Sequence, residues 1–508
     1  MNRDKIRLGI WIVVLFAASL VMLIPVLKPG FLVTDDAGWM VVRLSAFYQS
    51  LREGQFPVRF LGRLNQSYGY PVANFLYPGY LYIGSILHFF GLSFQGSVET
   101  IIVLSVIIGG LALFFWLRHF FDDAASGLGA LSFVFAPYLL YDVYKRGSVG
   151  EILAMCLTAL CLSIIESKYT WLLSFAIGFL SISHNTLALF FLPIIFIYLI
   201  IRGRRQCFLY YFLGMGMSLF FWFPAFTEQK YVIFNRSVVS NPFDYFQTSG
   251  IIAIFSLPFV AAAIFSFTQK QMKMNKIRYF FLFLCILAYF FATPVSALAW
   301  KNRFFTMFIQ FPYRWFSFLC IVGPWFVAQI AGKRNAYRVI SMVILCIFFL
   351  LSFQYAKVES VIRVEGFYTT NEATTTVADE YLPHWAGKKP EVRAIKRLEF
   401  YSGGGTIGEK KVTSQKIDAV VNASEKSIIQ VNMLYYPGWG AMIDDKKAEI
   451  VKKDPYGFMQ IPVPAGRHRL YMEFRETPER FVVDCVSLIC LIVALALPFL
   501  QKANKKKI

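Results

Sequence analysis

Asp35 and Asp36 stand side by side just beyond the first apolar segment of the chain. A carboxylate held at a membrane surface can take a proton from a hydroxyl group or help to hold a divalent cation. The segments that follow carry basic residues and more acids. Arg43, Arg52, Arg59 and Arg63 come next, then Lys145, Arg146 and Glu151 within YDVYKRGSVGE. His184 lies in SHN, Glu228 follows WFPAF, and Arg314 lies in FPYRW. Arginine stays charged at neutral pH and offers a planar fork of donors, which suits phosphate and anionic lipid. Each residue also has a plainer explanation. Asp35 or Asp36 could cap the helix that follows, and Glu151 could stabilise a helix start. The arginines could meet ordinary headgroups or snorkel, and His184 could be a structural hydrogen-bonder.

The elements that must position these groups are membrane helices. The chain has 508 residues, 57% of them hydrophobic, with a mean hydropathy of +0.55. A soluble protein of this length rarely reaches such values, so a polytopic helical membrane protein is expected. Apolar runs recur at about 8–27, 98–117, 126–142, 149–166, 169–184, 186–201, 208–226, 250–267, 278–296, 312–331, 337–355 and 481–500. A further run, 75–91, is ambiguous, which gives about 12–13 spans.

Charge placement decides the ambiguity. Basic clusters fall at Arg3 to Arg7, Arg118, Lys168, Arg202 to Arg205, Lys270 to Arg278, Lys333 to Arg338 and Lys502 to Lys507. All of them become cytoplasmic if 75–91 does not cross, so that run reads as an interfacial or re-entrant helix. Both termini are then cytoplasmic. The loop 28–97 and the hydrophilic stretch 356–480 face outward. The middles of the spans are nearly free of charge, which argues against an ion-coupled transport path.

The net charge of +20 raises the question of nucleic acid. Its distribution excludes that partner. The stretch 356–480 holds 19 Lys and Arg against 17 Asp and Glu, so the excess sits in short loops between spans, as topology requires. All eight cysteines lie in or beside apolar runs, without disulfide or zinc spacing. Strand patterns at 427–436, 448–452, 457–463 and 468–474, with a turn at Pro464-Ala-Gly, predict an antiparallel β-sandwich. Three parts are expected: a membrane module over 1–355, an extracytoplasmic β domain over 356–480, and a final span with a basic tail over 481–508.

The acid pair, GQFPVRF, YGYPVANFLYP, LYDVYKRGSVGE, SHN, FPYRW, EYLP and YYPGW with its later VPAG turn occur in one order along nearly the whole chain. That set resembles the YfhO-like bacterial membrane proteins and their relatives labelled 6-pyruvoyl-tetrahydropterin synthase-related. No His-rich zinc site supports pterin chemistry. The resemblance implies a GT-C-like fold of membrane helices with the extracytoplasmic β domain. It implies a glycosyltransferase of the plasma membrane that takes a sugar from a polyprenyl-phosphate carrier. The acceptor would be an envelope glycan, teichoic acid or glycolipid. Asp35 and Asp36 match the family's acid after the first span, as general base or as ligands to Mg or Mn. Arg146 and Arg314, joined by His184, would bind the donor phosphate. Arg43, Glu151 and Glu228 are further candidates, and Glu380 and Tyr381 would reach toward the site from the β domain. The competing expectations are a non-catalytic flippase or transporter of lipid-linked glycans, and an assembly scaffold.

Overall fold

The structure is a computed structural model that describes residues 3–268, 276–332, 335–355, 357–453 and 455–505. The basic residues expected at Lys270, Lys273, Lys333, Arg334, Lys506 and Lys507 lie outside the described residues.

Among the described residues, nine helices are long and apolar enough to cross a membrane, so the chain is a multi-pass membrane protein. The count reaches ten with the pair Gln206–Met217 and Leu219–Thr227, which is bent by 56°. Two other apolar runs form helices that are short for a span: Thr170–Ser181 and the 17-residue Lys276–Ala292. These two separate the nine or ten long helices from the twelve apolar runs of the sequence. The ambiguous run forms Gly79–Phe89. Its 11 residues rise about 16 Å, half the thickness of a hydrocarbon core.

Local chemistry starts several of these helices. The Ser93 hydroxyl accepts from the Gly96 N–H at 2.9 Å, and the Asp122 carboxylate accepts from the Ala125 N–H at 2.9 Å. Helix Asp123–Val134 then packs tightly on Ser317–Ala331. A Cβ at Gly129 would stand 2.6 Å from the Pro324 carbonyl oxygen, so only glycine allows that approach. The helices alternate in direction. The ion pairs Arg118–Asp123, Arg338–Asp122 and Glu166–Arg202–Arg204 gather at one end of the bundle. Asp35, Asp36, Arg146 and Arg314 gather at the other.

Eleven strands are present among the described residues. Strand β1 (Phe31–Leu32) pairs antiparallel with β2 (Ser360–Val361). The others are β3 (Leu398–Ser402), β4 (Gly405–Val412), β5 (Lys416–Ala423), β6 (Ser427–Leu434), β7 (Trp439–Ile443), β8 (Lys446–Ala448), β9 (Val451–Lys453), β10 (Phe458–Val463) and β11 (Gly466–Phe474). They build two antiparallel sheets, ordered β3-β6-β10-β9 and β4-β5-β11-β7-β8. Inward residues alternate along the strands, as in Ile417, Ala419 and Val421 of β5, Ile429 and Val431 of β6, and Leu470 and Met472 of β11. The expected strand at 448–452 is divided between β8 and β9. The turn at 464–466 carries the chain from one sheet to the other and does not close a hairpin, since β10 pairs with β6 and β9 while β11 pairs with β5 and β7.

The β domain is docked on the first long loop. Tyr68 stacks on Phe458 with ring centres 4.5 Å apart, and the Leu434 N–H donates to the Tyr68 carbonyl at 2.8 Å. Buried ion pairs add to this. Arg480 forks onto Glu228 at 2.7 and 2.6 Å, and Arg59 reaches Glu476 at 3.1 Å and Asp484 at 2.9 Å.

Candidate active site

Two backbone clamps fix the acid pair. Upstream, β1 is held by β2. Downstream, the Asp35 N–H donates to the Lys145 carbonyl at 3.0 Å and the Asp36 N–H to the Arg146 carbonyl at 2.8 Å. The turn Asp142–Arg146 that supplies those carbonyls ends at Gly147, whose φ is +65°. A Cβ there would stand 2.2 Å from the Thr34 hydroxyl and 2.7 Å from Ala37 Cβ. Glycine therefore meets both a left-handed turn and a close approach to the acid segment.

Asp36 occupies the N-cap position of helix Ala37–Arg52, yet its side chain makes no capping hydrogen bond. The Thr34 hydroxyl accepts from the Ala37 N–H at 3.2 Å in its place. Capping therefore does not account for the Asp36 carboxylate. Its Oδ2 accepts from Arg146 Nη2 at 2.8 Å, and it keeps 34% of its side-chain surface exposed. Asp35 is more open, at 46%, and pairs with Lys145 at 3.1 Å, itself 63% exposed.

Behind this pair lies a buried hub centred on Glu151, in the first turn of helix Val149–Glu166. Its Oε1 accepts from Arg314 Nε at 2.9 Å and lies 3.5 Å from Arg146 Nη2 and 3.6 Å from His184 Nε2. Its Oε2 accepts from the Tyr138 hydroxyl at 2.5 Å. Arg146 also donates to the Tyr313 hydroxyl at 2.7 Å and stacks on Phe311, as Arg314 does from 4.8 Å. Arg314 further donates to the Ile309 carbonyl at 2.7 Å and to Gln310 at 3.0 Å. Five residues singled out in the sequence thus converge: Asp36, Arg146, Glu151, His184 and Arg314. Asp142, Tyr138 and Tyr313 join them, and sequence reasoning missed their part. Asp142 did carry a signal, since it is a lone acid ending an apolar run. It is fully buried beside Glu151 and Arg146, and among the described residues neither of its carboxylate oxygens has a hydrogen-bond partner.

A second group borders the first. Arg43 is buried, donates to Thr375 at 3.2 Å and to its carbonyl at 2.6 Å, and reaches the Tyr80 hydroxyl at 3.4 Å. Tyr77 packs on the His184 ring at 4.7 Å. Tyr381 stacks on Phe75 at 5.1 Å, and its N–H donates to the Tyr70 hydroxyl. Glu380 is half-buried and accepts from the Ala378 N–H at 3.2 Å. Glu228 lies apart from the hub. Its carboxylate is taken up by Arg480, the Tyr436 hydroxyl at 2.7 Å and Asn74 at 2.9 Å, which makes it a tie between membrane module and β domain.

The residues do not gather into a donor set for a divalent cation. Among the described residues, no group of three or more His, Cys, Asp or Glu is arranged to hold one. Asp35 and Asp36 each face a basic partner, and the Arg146 guanidinium beside Asp36 opposes a second positive charge. An apolar cavity of about 660 Å³ lies among helices 246–268, 317–331 and 335–355, away from this chemistry.

His184 caps helix Asn185–Arg202, accepting from the Leu187 N–H on Nδ1 at 3.3 Å. That bond assigns the ring proton to Nε2, which faces Glu151. Burial, with Arg314 and Arg146 nearby, pushes its imidazole down to about 3. The unfolded chain therefore binds one more proton than the folded chain between about pH 3 and 6.5, so stability falls as the pH drops through that window. Replacing His184 with Gln is expected to flatten the decline by up to about 1.4 kcal/mol per pH unit, read by unfolding midpoints at stepped pH.

No family model matches the chain, and no match is found among curated proteins. Among solved structures, the chain is similar to the arabinofuranosyltransferase AftD from Mycobacteria, at 13% identity and a TM-score of 0.47. That match covers 69% of this chain and 27% of AftD. A mutant of AftD matches at 12% identity and a TM-score of 0.46, over 69% of this chain and 28% of that one. The chain thus spans less than a third of the AftD chains it matches.

Proposed function

We propose that this chain is a membrane glycosyltransferase of the GT-C type, related to the YfhO-like proteins its motifs resemble. It moves a sugar from a polyprenyl-phosphate carrier to an envelope glycan, teichoic acid or glycolipid at the outer face of the cell membrane. The observation that carries this reading is the Asp36–Arg146 pair, a half-exposed carboxylate with no capping duty beside a guanidinium held by a buried hub. In the proposed step, an acceptor hydroxyl attacks the anomeric carbon of the donor sugar. The new C–O bond forms as the bond from that carbon to the phosphate oxygen breaks, with inversion. The hydroxyl proton passes to Asp36, and the polyprenyl phosphate leaves with the electron pair. Arg146, together with the more exposed Lys145, supplies positive charge where the leaving phosphate gains negative charge. Arg314 and Glu151 fix the Arg146 fork and act as positioning residues.

In this reading the basic helix ends and both termini are cytoplasmic, and the β domain is extracytoplasmic. Purified chain in vesicles, given a polyprenyl-phosphate-linked sugar and an acceptor, is expected to release one polyprenyl phosphate for each sugar transferred. Arg146→Lys keeps the charge and loses both the fork and the aromatic stack, and is expected to slow transfer at least about tenfold. Movement of the lipid-linked sugar between leaflets without polyprenyl phosphate release would assign the chain to the flippases.

A further inference from the structure

A polar cavity lies on the same end of the bundle as Asp36, between the first long loop, the segment after β2 and the edge of the β domain. Two volumes of about 330 and 240 Å³ meet there and share Ser67, Arg393, Arg397 and Val412 as lining. The cavity sits at the far end of the helix that starts at Asp36. That helix has 16 residues, and the site runs along it from Val42 and Ser45, both met by Arg63, to Glu53, about 9 to 26 Å from Asp36 along the axis. Glu53, which ends the helix, is part of the lining.

Its charges are set in an unusual way. Arg63 is half-buried and, among the described residues, donates only to neutral oxygens: the Thr369 carbonyl at 2.7 Å, the Tyr368 carbonyl at 3.1 Å, the Val42 carbonyl at 3.2 Å and the Ser45 hydroxyl at 2.5 Å. Arg397 likewise donates to the carbonyls of Ser67 and Asn432. Among the described residues, neither comes within ion-pair distance of a carboxylate, whereas Arg393 pairs with Glu372 at 3.0 Å. Half-buried cations aimed by neutral acceptors are costly unless an anion completes them. Burial holds the Arg63 guanidinium down to about 10 against the pull of nearby Glu372, and burial with Arg393 beside it lowers that of Arg397 too. Among the described residues, two polar atoms of the lining are also without partners: Arg63 Nε and the hydroxyl of Ser414, a residue only 6% exposed. The carboxylates of Glu53 and Glu372 keep lone pairs for hydroxyl donors.

The geometry points to this cavity as the binding site for an anionic saccharide segment of the acceptor, spaced from Asp36 by about two to five turns of the helix so that a chain several units long reaches both. This rests on the glycosyltransferase reading for its biological sense, but its binding chemistry is tested without transfer. The probe is tetragalacturonate, an anionic tetrasaccharide, titrated into the full-length purified chain by calorimetry, with maltotetraose as the neutral control of matched length. The charged probe is expected to bind at least tenfold more tightly than the neutral one. Arg393→Glu lies on a largely exposed side chain and inverts a lining charge, so it is expected to weaken binding at least tenfold without unfolding the chain. Arg397→Gln is expected to act in the same direction. Equal binding of the two probes, or unchanged binding in both variants, overturns the assignment. Binding confined to phosphatidylglycerol vesicles, with none of the soluble probe, overturns it in favour of a lipid headgroup. The Asp36→Asn chain is expected to bind the probe like the parent, so loss of transfer and loss of binding separate the two readings.

Discussion

Asp36→Asn is expected to lower sugar transfer by a factor on the order of 10² to 10⁴, the range set by removing a general base. Asparagine keeps the shape of the side chain, and its amide oxygen still accepts from Arg146, so the fold and the cavity binding remain. Asp35→Asn is expected to retain most of the activity. Asp35 and Lys145 form an open pair, and such pairs contribute between about 0 and 1 kcal/mol. Asp36 instead faces a guanidinium that four further protein groups orient: Glu151, Tyr313, Phe311 and, through Glu151, Arg314. The check is the initial rate of polyprenyl phosphate release for each single variant and the double, beside their unfolding midpoints. Full activity in the double variant removes the base from the mechanism. Loss in Asp35→Asn alone moves the role by one residue and leaves the rest of the hub intact.

The candidate site was legible in the sequence as a set of residues but not as an arrangement. Asp36, Arg146, Glu151 and Arg314 stand out because charged groups are costly near a membrane and these ones sit at helix ends. Their convergence was hidden, because Arg314 meets Glu151 across 163 positions and Arg146 meets Asp36 across 110. Thr34 shows the opposite failure. A favoured capping type stood two residues before Asp36, and only the backbone geometry decided which of the neighbours caps. Glu228 was grouped with the site by its position after a span, while the partner that commits it elsewhere lies 252 residues on. In the β domain, β6, β10 and β11 announced themselves through apolar alternation. The edge strand β4 is GTIGEKKV, almost wholly exposed on both faces, so no period of two marks it. The twelve apolar runs all became helices, because the bilayer permits little else, yet two of them fell short of a full crossing.

Breaking the Glu228–Arg480 tie is expected to have the largest effect on stability. Both side chains are buried, and Arg480 also lies over the rings of Tyr436 and Phe474. Arg480→Met leaves a buried carboxylate with only the Tyr436 hydroxyl and the Asn74 amide, and is expected to cost about 3–5 kcal/mol. Adding Glu228→Gln removes the stranded charge and is expected to recover most of that loss, because an apolar or neutral replacement of a whole buried pair is often close to neutral. Unfolding midpoints of the two singles and the double measure the coupling. A cost below about 1 kcal/mol for the single variant means that water reaches the pair. The consequence extends to the site. The segment that brings Thr375 to Arg43 and Tyr381 to Phe75 lies between the helical bundle and the β domain that this tie secures. Arg480→Met is therefore expected to slow transfer at temperatures where the chain is still folded, and the double variant is expected to restore rate and stability together. Stability restored without rate would show that the charge itself, and not the docking it secures, serves the reaction.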